Sequence, residues 1–415
     1  MQYGLIGERL SHSYSKELHN QIGDYDYCLK EIARDQVQSF MLAKDFKAIN
    51  VTIPYKETVI PYLDYIDDFA KDIGAVNTVV NKDGKLFGYN TDFFGLRSLV
   101  LNCGIDAKDK KVLILGTGGT CKTAKAVFKD LKAKSIIIVS RKKSETTVTY
   151  EEALSCHADA QIIVNATPCG MYPNLEDMPI EIEPFKSLEA IVDVIYNPLR
   201  TRLVLEAQKR GLKACGGLFM LSQQAIAASE FFFDKSLDAS ISNKVYKKLL
   251  NQKQNIVLIG MPGSGKSTIG QAIANKLGYE FIDTDQEIIK SQGKTPSEII
   301  KEQGEKAFRD IESEVCKNLA TKTHAVIATG GGAILRAENV THLKNNGFLF
   351  FIDRKLETIR HSDDRHLTDS LDKLKAIYEK RYPIYTSCAD SIIVNNDIET
   401  TVKTIIGELY EDCID

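Results

Sequence analysis

One glycine-rich segment combines a lysine and hydroxyl side chains at a spacing that suits phosphate chemistry. It reads GMPGSGKST from Gly260 to Thr268, which is the pattern G-x-x-x-x-G-K-S between an apolar run and an amphipathic one. Backbone N–H groups of such a loop cradle phosphates, Lys266 would reach the β and γ phosphates, and the Ser267 hydroxyl would ligate Mg²⁺. A glycine turn that binds nothing is the alternative, but here the strand, loop, Lys and Ser occur together. The predicted site for ATP and Mg²⁺ consists of Gly263, Ser264, Gly265, Lys266, Ser267 and Thr268.

Two carboxylates, an arginine and a triple glycine follow this loop. Asp283 and Asp285 stand two residues apart at the end of a predicted strand, so they leave it on the same side. One can serve the metal and the other a substrate hydroxyl, although such a pair is more often a turn or a helix cap. Arg309 suits an anion clamp or a surface salt bridge. The glycines at 330–332 suit either close approach of a ligand to the backbone or a bare turn.

The N-terminal part of the sequence offers candidate acid–base and hydroxyl groups. Lys56 follows a predicted strand and a proline, and Asp92 lies in the segment GYNTDFFG. If the loops bring them together, they form an acid–base pair in which each group favours the charged form of the other. Ser13 and Ser15 can both donate to one carboxylate, whereas a helix cap is the commoner use of such serines.

A second glycine-rich turn occurs farther along, where Val112–Leu115 leads into GTGGTC. This is the first turn of a dinucleotide-binding βαβ unit, with Cys121 where the third glycine is usually found. The next predicted strand ends before Arg141, Lys142 and Lys143. Binders of NAD usually place an acid there, so a basic run favours the 2′-phosphate of NADP. A solvated basic loop is the alternative.

The elements that must position these residues are short apolar runs alternating with helical patterns. This alternation predicts an α/β fold with largely parallel sheets. The predicted strands are Tyr3–Ile6, Ala48–Thr52, Val112–Leu115, Ile136–Val139, Ile162–Asn165, Ile191–Val194, Ile256–Ile259, Ala325–Ala328 and Gly347–Ile352.

Polar stretches at Lys108–Lys111 and Lys235–Gln254 divide the alternation into parts. The predicted domains are a first lobe at about 1–105, a dinucleotide-binding lobe of the Rossmann type at about 106–215, a helical return segment and linker at 216–250, and a P-loop domain at 253–415. Because Ile241, Val245 and Leu249 form an apolar stripe in the linker, that helix must pack on something.

Length and composition exclude several classes of protein. The 415 residues, of which 43% are hydrophobic and 26% charged, suit a globular protein of several domains and exclude a disordered, collagen-like or coiled-coil chain. A net charge of −3 lacks the basic excess of a nucleic-acid binder, and no apolar run reaches the length of a membrane span. Nine cysteines without a CxxC pair, and a start without a signal-peptide pattern, predict a cytoplasmic protein. The oligomeric state is not predicted.

The region 253–415 resembles shikimate kinase. The resemblance rests on the P-loop, DTD, the GExxFRxxE pattern at Gly304–Glu312, the triple glycine, and arginines near the C-terminus. It implies that Asp285 binds the shikimate hydroxyls and assists deprotonation, and that Asp283 lies near Mg²⁺. The implied carboxylate ligands are Arg309 and Arg381, the implied ring contacts are Gly331 and Gly332, and the implied lid arginine is Arg365. The sequence departs from the family at His366, where Pro is usual, and in a short lid from Arg360 to Arg365.

The region 1–235 resembles shikimate dehydrogenase through NVTxPxK, GAxNT, GxNTDxxG, GxGG and NATxxGM patterns. The resemblance implies that Lys56 and Asp92 are the catalytic pair. The implied substrate contacts are Ser13, Ser15, Thr52, Asn77 and Gln224. The implied cofactor-binding residues are Gly116, Gly118, Gly119, Arg141, Thr167, Gly217 and Met220. Departures are Glu8-Arg9 and Lys16 at positions where the family has Pro, and Ser140 where Asn commonly precedes the arginine.

Together the two resemblances imply a bifunctional enzyme of aromatic amino-acid biosynthesis. One half would reduce 3-dehydroshikimate to shikimate with NADPH, and the other would phosphorylate shikimate with ATP and Mg²⁺. An alternative keeps the folds but changes the substrates, to quinate with NAD and to another small polyol. A third possibility is that one half is a ligand sensor without turnover. The catalytic lysines and aspartates argue against the sensor.

Overall fold

The apolar runs of the sequence form the strands of three sheets in the computed structural model, which describes residues 1–10, 13–359 and 371–410, without the side chains of Ala239 and Leu371. Arg365, Arg360 and His366 therefore lie outside the described residues. The chain divides into two compact units, 1–249 and 250–415. All nine predicted strands are present within a residue or two of the predicted bounds, and the α/β class is confirmed. None of the helices in the described parts of the chain has the length and apolar character needed to cross a membrane.

The first unit begins with a six-stranded mixed sheet. Its strands are β1 Tyr3–Gly7, β2 Tyr27–Glu31, β3 Ala48–Val51, β4 Tyr65–Ile66, β5 Thr78–Lys82 and β6 Lys85–Tyr89, in the order β2-β1-β3-β5-β6-β4. Strand β5 runs antiparallel to β3 and β6, and the other pairs are parallel. The helices are α1 Ser15–Ile22, α2 Val37–Ala43, α3 Asp68–Ile73 and α4 Thr91–Asn102, with 3-10 turns at Arg34–Gln36 and Ile60–Tyr62.

The hairpin between β5 and β6 was not predicted, although the sequence carries its signal. Asp83 and Gly84 both have positive φ, at 52° and 83°. Asp-Gly is a preferred pair for a two-residue hairpin turn that requires this backbone conformation. Strand β2 was also missed, because four of its five residues are exposed and it has no apolar run.

The same unit continues with a parallel five-stranded sheet in the order β11-β10-β9-β7-β8. Its strands are β7 Lys111–Leu115, β8 Ser135–Val139, β9 Ile162–Asn165, β10 Ala190–Asp193 and β11 Lys213–Cys215. Its helices are α5 Gly119–Asp130, α6 Tyr150–Cys156 and α7 Arg202–Lys209. The strand order reverses at β7, so the turn between β7 and α5 lies where ligands bind in sheets of this kind.

Helix α8 Leu218–Phe233 and most of helix α9 Ala239–Lys253 complete the first unit. Helix α8 packs along α4 and also contacts α1 and β5, so it returns to the first sheet. In α9, Val245 and Leu249 are buried, and Tyr246 packs edge-on against Phe219 of α8. The apolar stripe of the predicted linker helix therefore packs within the first unit, and the boundary between units falls inside α9.

The second unit is a parallel five-stranded sheet between helices, in the order β13-β14-β12-β15-β16. Its strands are β12 Asn255–Ile259, β13 Glu280–Asp283, β14 Ala325–Ala328, β15 Gly347–Asp353 and β16 Ser391–Val394. Its helices are α10 Lys266–Leu277, α11 Thr284–Gln292, α12 Pro296–Leu319, α13 Ala337–Asn346, α14 Leu371–Cys388 and α15 Ile398–Tyr410, with 3-10 turns at Ala333–Leu335 and Leu356–Thr358. Helix α12 is interrupted at Gly304, where φ is 88°.

Candidate active sites

Lys56 and Asp92 meet at the first sheet. Lys56 lies in the turn after β3, and Asp92 in the first turn of α4, where the partial positive charge of the helix N-terminus favours a carboxylate. The Lys56 ammonium donates to Asp92 Oδ2 at 2.5 Å. The lysine side chain remains 21% exposed, whereas the aspartate is buried. The Lys56 ammonium is therefore a hydrogen-bond donor that solvent can reach, and the buried Asp92 carboxylate holds it in place.

Asn77 joins the elements around this pair. Its buried side-chain oxygen accepts from the backbone N–H of Thr91 at 2.7 Å, beside Asp92. Its side-chain nitrogen donates to Gln224 of α8 at 3.4 Å, across 147 residues of sequence. Two of the predicted substrate contacts, Asn77 and Gln224, are thus brought together next to the predicted catalytic pair.

The two serines predicted to bind substrate contact each other, and neither is the N-cap residue of α1, which is Tyr14. The Ser13 hydroxyl donates to the Ser15 hydroxyl at 3.1 Å, and it accepts from the Ser15 backbone N–H at the start of α1. Thr52 lies in the turn after β3, the same turn that carries Lys56. The roles of all three residues in substrate binding stay predictions.

The turn between β7 and α5 has the backbone shape of a dinucleotide-binding turn. Gly116 has a φ of 106°, and a Cβ there would come within 2.9 Å of Thr167. Gly118 and Gly119, at the start of α5, have open space where a side chain would lie. A helix N-terminus with open space favours an anion such as pyrophosphate. Cys121, which replaces the third glycine, is buried in the core, and burial raises the pKa of its thiol to about 11.

Other predicted cofactor residues are placed by packing. Gly217 begins the turn into α8, and its close approach to the carbonyl of Val194 leaves no room for a side chain. Met220 is buried in the core of the first unit, with its carbonyl against Gly95. These contacts explain by packing alone why a glycine and a methionine occupy these positions. The roles of both residues in cofactor binding stay predictions.

A buried polar chain that the sequence did not reveal supports Thr167. The Thr167 hydroxyl donates to Asn165 at 2.7 Å, Asn165 donates to Asp193 at 3.1 Å, and Thr201 donates to Asp193 at 2.6 Å. Burial raises the pKa of Asp193 to about 6, against these hydrogen bonds. The chain joins the ends of β9 and β10, and the NAT and DVIYNP segments of the sequence were the available signal.

The basic run after β8 divides into different roles. Arg141 is exposed at the end of the strand. Lys143 is paired with Glu152, which also forms the capping box of α6 with Thr149. Within the basic run, Lys143 is thus held by an ion pair with Glu152. Arg141 remains the candidate for binding the 2′-phosphate.

In the second unit, the loop after β12 has the conformation of a phosphate-binding loop. Gly260, Gly263 and Gly265 have positive φ values of 146°, 81° and 99°. Lys266, the first residue of α10, is 7% exposed, and its ammonium donates to the carbonyls of Gly260 and Met261 at 2.9 Å. The loop thus folds around its own lysine, while Thr268 is exposed on α10.

The residues predicted to hold Mg²⁺ are in direct contact. The Ser267 hydroxyl donates to Asp283 Oδ2 at 2.7 Å. The other oxygen of Asp283 accepts from the Asp285 backbone N–H at 3.0 Å and caps α11. The helix-cap alternative is therefore present together with the contact to the P-loop. A hydroxyl and a carboxylate oxygen are ligands that suit a hard cation such as Mg²⁺.

The remaining predicted residues of this site lie around the triple glycine. A Cβ on Gly332 would clash with the Arg309 guanidinium. The Gly331 carbonyl accepts from Arg381 at 3.0 Å, and Arg381 is 9% exposed. A Cβ on Gly330 would lie 3.0 Å from Asp285 Oδ1. The guanidinium groups of Arg309 and Arg381 and the carboxylate of Asp285 therefore lie against a turn that has no room for side chains.

Glu312 was missed as a site residue. It is fully buried, and its Oε2 accepts from Arg309 at 2.6 Å. Its Oε1 lies over Gly330 without a hydrogen-bond partner among the described residues. Burial raises the pKa of this carboxyl, and the nearby Arg309 opposes the shift. Its place three residues after Arg309 in the GExxFRxxE pattern was the signal that could have identified it.

The first unit combines a dinucleotide-type turn with a lysine–carboxylate pair, and the second unit carries a P-loop. These features define an oxidoreductase combined with a phosphotransferase. A shikimate dehydrogenase substrate-binding domain profile matches residues 5–79, and a shikimate kinase profile matches residues 262–412. The chain belongs to the shikimate dehydrogenase family, and its C-terminal part is a shikimate kinase domain. Both resemblances predicted from the sequence are confirmed.

Individual relatives support the first assignment. The NADP⁺-type shikimate dehydrogenase of Clostridium beijerinckii is 38% identical over 268 residues, which cover 60% of this chain and 98% of that protein. A chorismate mutase/shikimate 5-dehydrogenase fusion protein from Clostridium acetobutylicum matches with a TM-score of 0.56 and 34% identity, over 60% of this chain and 96% of that one. The shikimate 5-dehydrogenase of Thermus thermophilus, solved with NADP(H) and shikimate, matches with a TM-score of 0.54 and 27% identity, over 60% and 99% of the chains.

Proposed function

We propose that this chain catalyses two consecutive reactions, the NADPH-dependent reduction of 3-dehydroshikimate to shikimate and the ATP-dependent phosphorylation of shikimate to shikimate 3-phosphate. The observation that carries the proposal is that one chain contains both the Lys56–Asp92 pair and the cluster around the triple glycine. The first product is the second substrate.

In the reduction, the protein would supply the proton and the orientation. NADPH, when bound, supplies a hydride to the C3 carbonyl carbon. The Lys56 ammonium would donate a proton to the carbonyl oxygen or stabilise its developing negative charge. Asp92, which holds the lysine at 2.5 Å, would also orient the substrate hydroxyls. Asn77 and Gln224, which contact each other beside the pair, would complete the binding surface.

For the dinucleotide, the residues present fit the group. The N-terminus of α5 would bind the pyrophosphate. Gly118 and Gly119 have no side chains, so the space beside them stays open for the phosphate groups. Arg141 would bind the 2′-phosphate, because a guanidinium forms strong charge-assisted hydrogen bonds to phosphate.

In the phosphorylation, the protein would act mainly by position and charge. Arg309 and Arg381 would hold the shikimate carboxylate as bidentate ligands. Asp285 would accept a hydrogen bond from the reacting hydroxyl. Lys266 would neutralise the transferring phosphate, and Ser267 with Asp283 would hold Mg²⁺. The proposal keeps Arg365 as the lid arginine, and this residue lies outside the described part of the chain.

The most direct test supplies the full chain with 3-dehydroshikimate, NADPH, ATP and Mg²⁺ together and identifies the products by mass spectrometry. We expect shikimate 3-phosphate. Without ATP the product should be shikimate, and without NADPH neither product should form. Parallel reactions with quinate and NAD⁺ address the alternative substrates. Preferred turnover of quinate would replace the proposal for the first unit, and binding without turnover would identify a sensor.

The cytoplasmic location and the lack of a nucleic-acid partner remain predictions from the sequence.

A further inference from the structure

Asn395 follows β16 at the edge of the kinase sheet and contacts the phosphate-binding loop, 131 residues away in sequence. It is 5% exposed. Its side-chain nitrogen donates to the carbonyl of Ser264 at 2.7 Å, and its backbone N–H donates to the carbonyl of Asp353 at 2.7 Å. The Thr401 hydroxyl lies 3.2 Å from its side-chain oxygen. The amide is thus fixed from both ends and directed at one peptide of the loop.

The geometry of that peptide gives the contact a consequence. A peptide bond is planar and trans, so the carbonyl of Ser264 and the N–H of Gly265 point in opposite directions. Because Asn395 holds the carbonyl on its own side, the Gly265 N–H must point to the other side of the peptide. This N–H immediately precedes α10, where helical N–H groups have no partner within the helix. Such groups are the phosphate donors of a P-loop.

Gly265 and Asn395 also fit each other sterically. Gly265 has a φ of 99°, which disfavours any other residue. A Cβ at this position would come within 2.9 Å of the Asn395 side-chain nitrogen. The amide therefore occupies the space beside the glycine and holds the peptide close to β16.

We propose that Asn395 is a positioning residue of the kinase site, which sets the orientation of the Ser264–Gly265 peptide so that the Gly265 N–H faces the nucleotide phosphates. The residue acts through the loop and does not itself touch the nucleotide. The inference rests on the proposed kinase function. It adds a residue that lies outside the P-loop pattern and at the opposite end of the domain sequence.

The first variant for a test is Asn395→Asp in the full chain, measured at pH 8. Aspartate has the same size, but its carboxylate accepts hydrogen bonds and cannot donate to the Ser264 carbonyl. The matched control is Asn396→Asp, which makes the same charge change at the exposed neighbouring residue. A second variant, Asn395→Ala, removes the donor without adding a charge.

Binding of ADP·Mg²⁺ and of shikimate is measured separately by isothermal titration calorimetry, together with the melting temperature. We expect Asn395→Asp to weaken ADP binding by about tenfold or more, because the Ser264–Gly265 peptide loses the hydrogen bond that orients its N–H toward the phosphates. Asn395→Ala should weaken it in the same direction. Shikimate affinity should change by less than twofold in both, and Asn396→Asp should change neither affinity by more than that.

Two results would overturn the inference. One is unchanged ADP affinity in Asn395→Ala. The other is a loss of ADP and shikimate affinity in equal proportion, which would indicate a general structural role. If Asn395→Asp does not fold, the outcome of Asn395→Ala decides. Failure of the unmodified chain to bind ADP·Mg²⁺ would instead refute the proposed kinase function.

Discussion

The ammonium nitrogen of Lys56 lies 2.5 Å from Oδ2 of Asp92, although 36 residues separate them and they belong to different elements. Asp92 is buried at the N-terminus of α4, so its position is fixed by the helix. The lysine is partly exposed, so a substrate can reach it. The carboxylate thus restricts the flexible lysine to one position, which is the arrangement that proton transfer requires.

The first prediction follows from this pair. Lys56→Ala should slow the turnover of dehydroshikimate by about 10²- to 10⁴-fold, because it removes a proton donor or an electrostatic stabiliser. Asp92→Ala should cause a similar loss. Phosphorylation of shikimate by the same proteins should remain nearly unchanged. The measurement is steady-state kinetics of both reactions on each variant.

A matched control for this prediction is Lys110, which forms a 2.7 Å ion pair with Glu189 away from the predicted site. Lys110→Ala should leave the turnover rate within about twofold, because exposed ion pairs contribute little. A Lys56→Ala protein that keeps half of the original turnover rate would contradict the assignment.

The second prediction concerns the preference for NADPH over NADH. A charge-assisted contact between Arg141 and the 2′-phosphate is worth about 1.5–3 kcal/mol, or roughly 10- to 150-fold. Arg141→Ala should remove most of this preference by raising the KM for NADPH alone. Lys143→Ala is the control, because Glu152 already holds that lysine. Equal kcat/KM for the two cofactors in the unmodified chain would refute the prediction.

A third prediction compares two carboxylates that hold the same arginine. Arg309 contacts the buried Glu312 at 2.6 Å and the exposed Glu305 at 3.4 Å. Glu312→Gln should raise the KM for shikimate by about tenfold, since a buried charged contact that orients the guanidinium is lost. The KM for ATP should not change.

The exposed partner supplies the control for that comparison. Glu305→Gln should alter the KM for shikimate by less than about twofold, because an exposed ion pair is weak. Equal effects of the two substitutions on shikimate, or a parallel rise in the KM for ATP, would show that Glu312 does not orient Arg309 for substrate.

A fourth prediction concerns pH. His19 is 1% exposed and stacks on Tyr27 with 3.9 Å between ring centroids. Burial lowers its pKa from 6.5 to about 3, and the neighbouring Asn50 side chain opposes the shift. The unfolded chain therefore takes up a proton below pH 6.5 that the folded chain does not. The free energy of unfolding should fall with decreasing pH from 6.5 to about 3, by about 1.4 kcal/mol per pH unit for this residue.

Nuclear magnetic resonance measures this directly. The C2–H resonance of His19 in the full chain should not shift between pH 8 and 5, and its loss in His19→Phe identifies it. The same variant should weaken the dependence of urea unfolding on pH. The substitution removes the 2.5 Å hydrogen bond between His19 Nδ1 and the Tyr25 hydroxyl, but the Ser229 hydroxyl, 2.8 Å from that of Tyr25, still offers Tyr25 a partner. A titration midpoint near 6 would disprove a neutral, buried His19.

The sequence predicted those features that depend on local patterns. Continuous apolar runs identified nine strands, and the spacing of glycines and lysine identified the P-loop, because both signals lie within a few residues. Contacts between distant residues were not predictable in this way. The hydrogen bond from Asn395 to Ser264 and the burial of Glu312 depend on which strands become neighbours and how closely the helices pack. Asp283 shows that one residue can be a helix cap and a contact of the P-loop, two roles that a pattern cannot separate.

The last prediction is that the two units work independently. Helix α9 carries Val245 and Leu249 into the core of the first unit, and Ser242 donates to Gln223 of α8 at 2.7 Å. A fragment of residues 1–250 should therefore keep the dehydrogenase activity. Ending the chain before Ser236 should damage it, since α8 loses these partners. Activity assays and melting curves of the two fragments test this.

The kinase fragment should begin early enough to include the residues at the end of α9 that belong to the second unit. Tyr279 donates to the backbone carbonyl of Asn251 at 2.9 Å and contacts Tyr410 at 2.8 Å. A fragment of residues 250–415 retains this group, whereas a start at Lys253 loses one hydrogen bond, worth about 1 kcal/mol. The fragments that start at residue 250 and at Lys253 should both phosphorylate shikimate with kcat and KM within a few-fold of the full chain. The longer of these two fragments should melt at the higher temperature. An insoluble or inactive 250–415 fragment would mean that the kinase depends on the first unit, and the independence of the two units would have to be abandoned.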